Sequence, residues 1–153
     1  MTSDGSSTGT SAFRDNKSGG SALPTATGEE RPDDERIVAK PWGQERIWAV
    51  TDRYVGKVIL IRAGRRLSLQ QHLVKDESIL VLSGLLLLHR GDGVATLTTE
   101  VLGPGDHRRI PTGLIHRFEA LDADVELVEI STPELDDVIR LEDDFGREGT
   151  SAP

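Results

Sequence analysis

From residue 37 onward the chain is a series of short apolar segments interrupted by turn residues, and this pattern constrains the fold more than any other feature. The segments are rich in Val, Ile and Leu, and breaks containing Gly, Pro, Asp or Ser recur about every 8–12 residues. Such spacing is typical of an all-β sandwich or barrel, and helical periodicity is weak until the end of the chain. The predicted strands are residues 46–50, 54–62, 67–72, 78–83, 85–89, 95–102, 107–110, 116–120 and 125–131.

The two ends of the chain lack this pattern. Residues 1–34 consist mainly of Ser, Thr, Gly and charged residues, which offer too little apolar surface to offset the entropy of ordering. We therefore expect a disordered tail over 1–34, one folded domain over 35–147 and a disordered C-terminus over 148–153. Within the domain, Pro133 precedes residues 134–141, for which we predict a short helical turn.

The composition excludes several kinds of function. With 26 Asp and Glu against 18 Lys and Arg, the formal net charge of -8 argues against binding to nucleic acid. The chain has no Cys, so that a metal would be bound by His, carboxylate or amide groups. The longest apolar runs, at 79–82 and 85–88, are strand-sized and too short to span a membrane. We expect a cytoplasmic protein that binds neither nucleic acid nor membranes.

A polar stretch in the third predicted strand holds the first candidate functional residues. Side chains alternate along a strand, so Arg66, Ser68, Gln70 and His72 are predicted to share one face. Glu77 follows after a short turn and can return a carboxylate to the same place. The amide, imidazole and carboxylate of the last three residues therefore form a candidate metal-binding group.

A fourth donor comes from a distant segment. Pro111 and Gly113 predict a turn directly before His116, which would present this imidazole to the site. One divalent ion such as Zn, Mn, Fe or Co suits such a set of nitrogen and oxygen donors. The alternative is that His72 and His116 are buried histidines, hydrogen-bonded inside the barrel to the amide and the carboxylate.

The four residues and the glycines around them resemble the two cupin motifs, G-x5-HxH-x4-E-x6-G and G-x5-PxG-x2-H, with Gln70 in place of the first His. The matching positions are Gly64, His72, Glu77 and Gly84 in the first motif and Gly105, Pro111, Gly113 and His116 in the second. The resemblance implies a single cupin double-stranded β-helix, a jelly-roll barrel, with one metal site. The ligands that it implies are Gln70, His72, Glu77 and His116.

Over residues 40–147 the chain is similar to a narrower family, the isomerase domain of type II phosphomannose isomerases, in which Gln at position 70 belongs to the pattern. The shared pieces are Lys40-Pro41-Trp42-Gly43, Tyr54 with Lys57, Ser68-Leu69-Gln70, Val81-Leu82-Ser83-Gly84, Ile110-Pro111-Thr112-Gly113, His116-Arg117, Glu129, Asp136-Asp137-Val138-Ile139-Arg140, Asp143 and Phe145-Gly146-Arg147. This resemblance implies a metal-dependent interconversion of mannose 6-phosphate and fructose 6-phosphate through an enediol. The chain departs from the family at Lys75, where an Arg is usual.

The same resemblance implies roles for the residues around the metal. Lys57 and Glu129 are the candidates for the base, and Lys75 and Arg140 are further candidate catalytic residues. The predicted substrate-binding residues are Arg66, Ser68 and Lys40. Among the charges that could hold the phosphate, Arg66 is preferred because it is predicted to share the strand face of the metal ligands.

Other functions and the oligomeric state remain open at this stage. A different sugar-acting cupin enzyme, such as an epimerase, lyase or dioxygenase, would keep the barrel and the metal ligands. A non-catalytic sugar-binding cupin would keep the pocket. The leucine-rich segment 85–88, which is apolar on both faces, favours a homodimer.

Overall fold

The computed structural model describes residues 36–150, which form twelve β-strands and one short 3-10 helix at Val94–Thr96. The strands are β1 (Arg36–Lys40), β2 (Gly43–Val50), β3 (Val55–Ile61), β4 (Leu69–Gln71), β5 (Glu77–Ser83), β6 (Leu86–Gly91), β7 (Thr98–Leu102), β8 (His107–Ile110), β9 (Ile115–Ala120), β10 (Val125–Ser131), β11 (Ile139–Glu142) and β12 (Gly149–Thr150).

The strands form two six-stranded antiparallel sheets. Sheet I has the order β1-β2-β3-β10-β5-β8, and sheet II has the order β12-β11-β4-β9-β6-β7. Strands far apart in the chain pair side by side, as β3 does with β10 and β4 with β9, because the chain crosses repeatedly between the sheets. This topology confirms the predicted all-β jelly-roll barrel.

The core lies between the sheets and follows from the alternation of side chains along each strand. On β5, Glu77, Ile79 and Val81 are buried whereas Ser78 and Leu80 are exposed. The cluster of buried apolar side chains includes Ile59, Ile61, Leu86, Leu88, Phe118 and Leu127. Because Glu77 lies on the inward face of its strand, the barrel interior has a carboxylate beside its apolar core.

Gly84 closes the first motif at the turn between β5 and β6. Its φ is +79°, and a Cβ at this position would lie 2.4 Å from the carbonyl oxygen of Asp124. Only glycine avoids both the backbone strain and the collision. Gly84 therefore allows the backbones at positions 84 and 124 to lie close together, and its role is structural rather than chemical.

Each of the nine predicted strands overlaps an observed strand, with ends shifted by up to three residues. In the third segment, predicted over 67–72, only β4 (Leu69–Gln71) is regular, and the start of the sixth, predicted over 95–102, falls in the 3-10 helix Val94–Thr96. Sequence analysis missed β1, which pairs along its whole length with β2.

The predicted helical turn over residues 134–141 is wrong. Residues 134–138 form tight turns, with Leu135 N–H donating to the Pro133 carbonyl and Asp137 N–H to the Glu134 carbonyl, and β11 follows from Ile139. β11 pairs with β4, as Arg140 lies opposite Gln70. The unpaired edge of β4 thus supplies a partner that outweighs the local preference for a helix.

The predicted tail over residues 1–34 lies outside the described residues, as do residues 151–153. Gly149–Thr150, which we expected to be disordered, forms β12 and pairs with β11. Among residues 36–150, no helix has the length and hydrophobicity that crossing a membrane requires. The homodimer stays a prediction.

Candidate functional site

Three of the four predicted metal ligands meet inside the barrel. His116 Nε2 lies 3.1 Å from Glu77 Oε1, and His72 Nε2 lies 3.5 Å from Glu77 Oε2. All three side chains are buried, and their nitrogen and oxygen atoms lie within 4.8 Å of one another. The structure therefore brings together a His-Glu-His group of the size that one metal ion requires.

The turn of the second motif fixes where His116 sits. Gly113 has φ +83°, and its N–H donates a 2.8 Å hydrogen bond to the carbonyl of His72. His116 follows on β9, directly opposite Gln70 of β4. The positive φ explains the glycine, because other residues adopt this conformation only with strain. The turn thus joins the two motifs, as the sequence predicted.

Backbone carbonyls set the tautomers of both histidines. Nδ1 of His72 donates to the carbonyl oxygen of Asp137, and Nδ1 of His116 donates to that of Leu114 over 3.0 Å. A carbonyl oxygen only accepts, so each Nδ1 carries the proton. Each Nε2 then faces Glu77, which is the usual orientation of metal-binding histidines.

The donor atoms fit a divalent metal ion. His72 Nε2, His116 Nε2 and Oε1 of Glu77 are buried and make no hydrogen bond within residues 36–150, whereas Oε2 of Glu77 faces Lys75 Nζ at 2.6 Å. Buried polar atoms in proteins are rarely left unpaired, and neutral imidazole and carboxylate both bind borderline cations well. The alternative, core histidines hydrogen-bonded to Gln70 and Glu77, stays an alternative, because His116 Nε2 lies within hydrogen-bond distance of Glu77 Oε1.

Gln70 and Ser68 flank this group. The Oγ of Ser68 donates a 2.8 Å hydrogen bond to Oε1 of Gln70, and both residues line the same cavity as His72. Gln70 therefore lies on the correct strand and in the correct cavity for a fourth ligand. Its assignment as a ligand stays a prediction.

A chain of ion pairs of alternating sign leads away from the metal-binding group. Lys75 Nζ lies 2.6 Å from Glu77 Oε2 and 3.3 Å from Glu129 Oε1. Lys57 Nζ lies 3.7 Å from Glu129 Oε1 and 3.5 Å from Glu45 Oε2. Lys75, Lys57 and Glu129 are each at most 6% exposed. Three of the four predicted catalytic residues, all but Arg140, thus form one buried network, which ends with Lys40 at 4.0 Å from Glu45.

This network sets the charge states of the buried groups. Burial and the neighbouring Lys75 charge lower the pKa of His72, so this imidazole is neutral near pH 7. Burial alone would raise the pKa of Glu77, but the neighbouring groups, with the Lys75 charge foremost, outweigh burial and lower this pKa. Burial would likewise lower the pKa of Lys75, yet Glu129 and Glu77 outweigh it and raise the value. Glu77 is therefore an anion and Lys75 a cation.

A cavity of about 510 Å³ opens between the sheets above these groups. This volume lies in the range of small-molecule sites. Its buried end is formed by His72, Lys75, Lys57 and Glu129, whereas Arg36 and Asp136 line it from exposed positions. The remaining predicted residues that line it are Lys40, Ser68, Gln70 and Arg140.

Arg66 does not line this cavity. Its guanidinium makes two hydrogen bonds of 2.7 and 2.8 Å to Asp144, and its side chain is 38% exposed. Arg66 forms an isolated bridge with Glu119, and β4 begins only at Leu69, so the alternation is broken between them. The predicted face shared by Arg66 with Ser68 and Gln70 is therefore wrong.

Sequence reasoning gave no site role to four charged residues of the cavity, Arg36, Glu45, Asp136 and Arg147. Glu45 lies on β2 two residues before the buried Ile47, so alternation along a longer predicted strand would have found it. Arg147 stood in a segment that sequence analysis quoted without giving it a role. β1 was not predicted, so nothing in the sequence pattern placed Arg36 at the cavity.

Comparisons with known proteins identify the family of this chain. Residues 27–143 match the family model described as mannose-6-phosphate isomerase C-terminal. The xanthan biosynthesis protein XanB of Xanthomonas campestris pv. campestris (strain B100) is 34% identical over 116 residues, which cover 73% of this chain and 24% of XanB. The mannose-1-phosphate guanylyltransferase ManC of Salmonella typhimurium (strain LT2) is 33% identical over 118 residues, covering 73% and 23%. The chain spans about a quarter of the length of these relatives.

Solved structures share the fold at lower identity. The capsular polysaccharide assembling protein CapF from Staphylococcus aureus has a TM-score of 0.63 and 21% identity, covering 71% of this chain and 34% of that one. KdgF from Halomonas sp. has a TM-score of 0.56 and 21% identity, covering 67% and 91%. Oxalate decarboxylase from Bacillus subtilis has a TM-score of 0.62 and 17% identity, covering 71% and 30%. These likenesses show the cupin fold.

Proposed function

The chain belongs to the mannose-6-phosphate isomerase C-terminal family, and on this premise we propose that it is a metal-dependent aldose–ketose isomerase acting on mannose 6-phosphate and fructose 6-phosphate. The observation that carries the proposal is the link between the metal-binding group and a second buried carboxylate in one cavity. Lys75 lies between them, 2.6 Å from Glu77 and 3.3 Å from Glu129. Aldose–ketose isomerisation needs such a pair of functions, one stabilising charge and one moving a proton.

The metal-binding group supplies charge stabilisation. A divalent cation bound by His72, Glu77 and His116, with Gln70 as fourth ligand, would polarise the sugar oxygens and stabilise the enediolate. The protein fixes the donors in advance, since carbonyls orient both imidazoles.

Glu129 is the proposed base. Its carboxylate takes the proton from C2 of mannose 6-phosphate, and the electron pair of that C–H bond forms the C1–C2 double bond of the enediol. Glu129 then returns the proton to C1 as the carbonyl forms at C2, while the hydroxyl proton passes from O2 to O1. The ammonium group of Lys57, 3.7 Å from Glu129 Oε1, is the candidate acid for the transfer of this hydroxyl proton from O2 to O1. Burial of Glu129 keeps bulk water away from the transferred proton.

Lys75 takes the place that Arg usually has in the family. Its single ammonium contacts both Glu77 and Glu129, so one charge serves the metal-binding group and the base together. A lysine lacks the bidentate fork of arginine, but it keeps the positive charge that this position requires.

The test is an isomerase assay of the purified full chain, loaded in turn with Zn, Mn, Co or Fe and given mannose 6-phosphate. We expect formation of fructose 6-phosphate with at least one of these metals. In D2O, we also expect most of the product to keep the transferred proton at C1, because buried Glu129 is shielded from exchange with solvent. Absence of turnover with every metal would refute the proposed reaction, and would leave the epimerase, lyase, dioxygenase and sugar-binding alternatives.

A matched pair of variants tests the base. Glu129→Gln is expected to lower kcat by about 100-fold or more, because general base catalysis contributes 10²–10⁴-fold. Glu126→Gln, on the same strand but on its outer face, serves as the control and should leave kcat unchanged. Equal activity of the two variants would exclude Glu129 as the base.

A further inference from the structure

We propose that Glu45 determines substrate specificity, because its carboxylate accepts the hydrogen of a sugar hydroxyl on C3 or C4 while Lys57 donates to the oxygen of the same hydroxyl. The inference deepens the proposed function and rests on it for the identity of the sugar. Sequence analysis gave Glu45 no role, yet the structure places it in the wall of the cavity.

The ion pairs of Glu45 are longer than good hydrogen bonds. Its Oε2 lies 3.5 Å from Nζ of Lys57 and 4.0 Å from Nζ of Lys40. At the buried end, by contrast, Lys75 Nζ lies 2.6 Å from Glu77 Oε2. Among residues 36–150, no side chain or backbone group donates a hydrogen bond to the Glu45 carboxylate. Since an ionised carboxylate offers about four lone pairs, Glu45 keeps its acceptor capacity for a ligand.

Glu45 stands in an apolar part of the cavity wall. It lies on β2 opposite Val38 of β1 and Ile59 of β3, and Ile47 is the next inward residue of its own strand. These three apolar side chains line the cavity, and the Glu45 side chain is 15% exposed, so a ligand can reach it. A hydrogen bond in such surroundings is stronger than in water, and a ligand that fails to form it leaves the carboxylate unpaired. Glu45 therefore suits discrimination between similar ligands.

The neighbouring lysine and carboxylate match the two functions of a hydroxyl group. A hydroxyl donates one hydrogen and also accepts at its oxygen, so one hydroxyl can bond to both side chains. Lys57 Nζ and Glu45 Oε2, 3.5 Å apart, are close enough for a single oxygen atom to contact them together. The negative charge of Glu45 repels an anion, so this pair selects a neutral hydroxyl.

The order of the strands indicates which hydroxyl is contacted. In sheet I, β3 with Lys57 lies between β2 with Glu45 and β10 with Glu129. Neighbouring strands are about 4.8 Å apart, so Glu45 lies one strand farther from Glu129 than Lys57 does. The proposed reaction places C1 and C2 of the sugar at Glu129. Glu45 then meets a hydroxyl farther along the sugar chain, on C3 or C4.

A double-mutant cycle between protein and ligand measures this contact separately from turnover. The probe is mannitol 6-phosphate, numbered as in mannose, which has no carbonyl and cannot isomerise. Calorimetry gives the Kd of the zinc-loaded full chain for this probe and for its 3-deoxy and 4-deoxy forms. Wild type is compared with Glu45→Gln and with the control Glu126→Gln, which changes a glutamate on the outer face of β10.

We expect wild type to bind one of the two deoxy forms about tenfold or more weakly than mannitol 6-phosphate. In Glu45→Gln the same hydroxyl should change the Kd by less than about twofold, because the partner that reads it is gone. Glu126→Gln should discriminate between the ligands as wild type does.

The cycle also separates a hydroxyl contact from an effect of charge alone. If Glu45 acts only by neutralising Lys57 and Lys40, Glu45→Gln changes the affinity for all three ligands by the same factor, and the inference is overturned. Wild type that binds the three ligands equally, or binds none of them, overturns it without any variant. Discrimination that is lost in Glu45→Gln upholds the contact even if no isomerase turnover is found. Turnover without such discrimination overturns the contact and leaves the isomerase proposal standing.

Discussion

The ammonium nitrogen of Lys75 lies 2.6 Å from Oε2 of Glu77, and both side chains are buried inside the barrel. Glu77 is also the carboxylate on which His72 and His116 converge. The anionic donor of the metal-binding group therefore already has a cation beside it. A metal ion binding to Glu77 would experience the repulsion of Lys75, unless Lys75 turned toward its second partner, Glu129.

Replacing Lys75 by Gln should make the full chain bind metal more tightly. Removing the neighbouring positive charge lowers the electrostatic cost of placing a cation at Glu77, and we expect the Kd for Zn or Mn to fall by about tenfold or more. Competition with a chelating dye measures this change.

Lys57→Gln is the matched control for that measurement. Lys57 is as buried as Lys75 and also pairs with Glu129. Its other ion pair is with Glu45 and not with Glu77. Its removal should change the metal Kd much less. If both variants bind metal with wild-type affinity, Lys75 does not oppose the metal.

Gly113→Ala should weaken metal binding by disturbing the turn that positions His116. The backbone has φ +83°, and an added Cβ would meet no atom within 4 Å, so strain alone accounts for a cost of about 1–2 kcal/mol. Gly105→Ala provides the control, because Gly105 has φ +90° and equally free space in a different turn. Urea denaturation should show a similar loss for the two variants, whereas only Gly113→Ala should raise the metal Kd. A raised Kd in both would show that general destabilisation is responsible.

The sequence motifs predicted the centre of the site well for a physical reason. Ligand spacing follows from strand geometry and from one glycine turn, and both are local properties of the chain. Gly113 and His116 show this, because the turn and the following strand need only a few residues to be specified. The nine strands were predicted from a local pattern as well, namely short apolar segments separated by turn residues.

The residues that local sequence patterns mispredicted depend on partners that are distant in the chain. Arg66 was placed on the ligand face because alternation was assumed to continue, yet Asp144 binds it outside the cavity. Residues 134–141 were predicted as a short helical turn, but the free edge of β4 draws residues 139–142 into a strand. The acidic partners of Lys57 lie on two other strands, so no spacing in the sequence reveals the ion-pair network.

Asp143→Asn should destabilise the fold in a pH-dependent way. Burial alone would raise the pKa of Asp143, but hydrogen bonds from Arg147 and from the Phe145 backbone outweigh it and hold the pKa below the ordinary 3.8. The stabilisation is therefore complete above pH 3.8 and is lost as the pH falls through the lower folded value. We expect a loss of about 1–3 kcal/mol at pH 7 in urea denaturation, shrinking below pH 3.8.

Asp144→Asn is the control for this prediction. Asp144 pairs with Arg66 at the surface, where both side chains are more than a third exposed, and such pairs contribute about 0–1 kcal/mol. Equal losses at positions 143 and 144, or a loss at position 143 that does not change with pH, would contradict the anchoring role of Asp143.

Asp137→Ala should loosen the segment that follows His72. The carboxylate accepts hydrogen bonds from the backbone N–H groups of Leu73, Val74 and Lys75, over 3.1, 2.7 and 2.7 Å. Removing these acceptors should cost about 1–3 kcal/mol in urea denaturation. Asp136→Ala changes the neighbouring carboxylate and should cost less than Asp137→Ala. A loss of the same size at both positions would show that these hydrogen bonds do not hold the segment.

The most direct test of a metal-dependent isomerase is the turnover of mannose 6-phosphate as metal is added stepwise to the metal-free full chain, with bound metal measured in the same samples. Turnover should rise in proportion to bound metal and stop rising at one ion per chain. His116→Ala should bind no metal at this site and should show no turnover. Turnover in the metal-free chain, or a chain fully loaded at His72, Glu77 and His116 without turnover, would contradict the account.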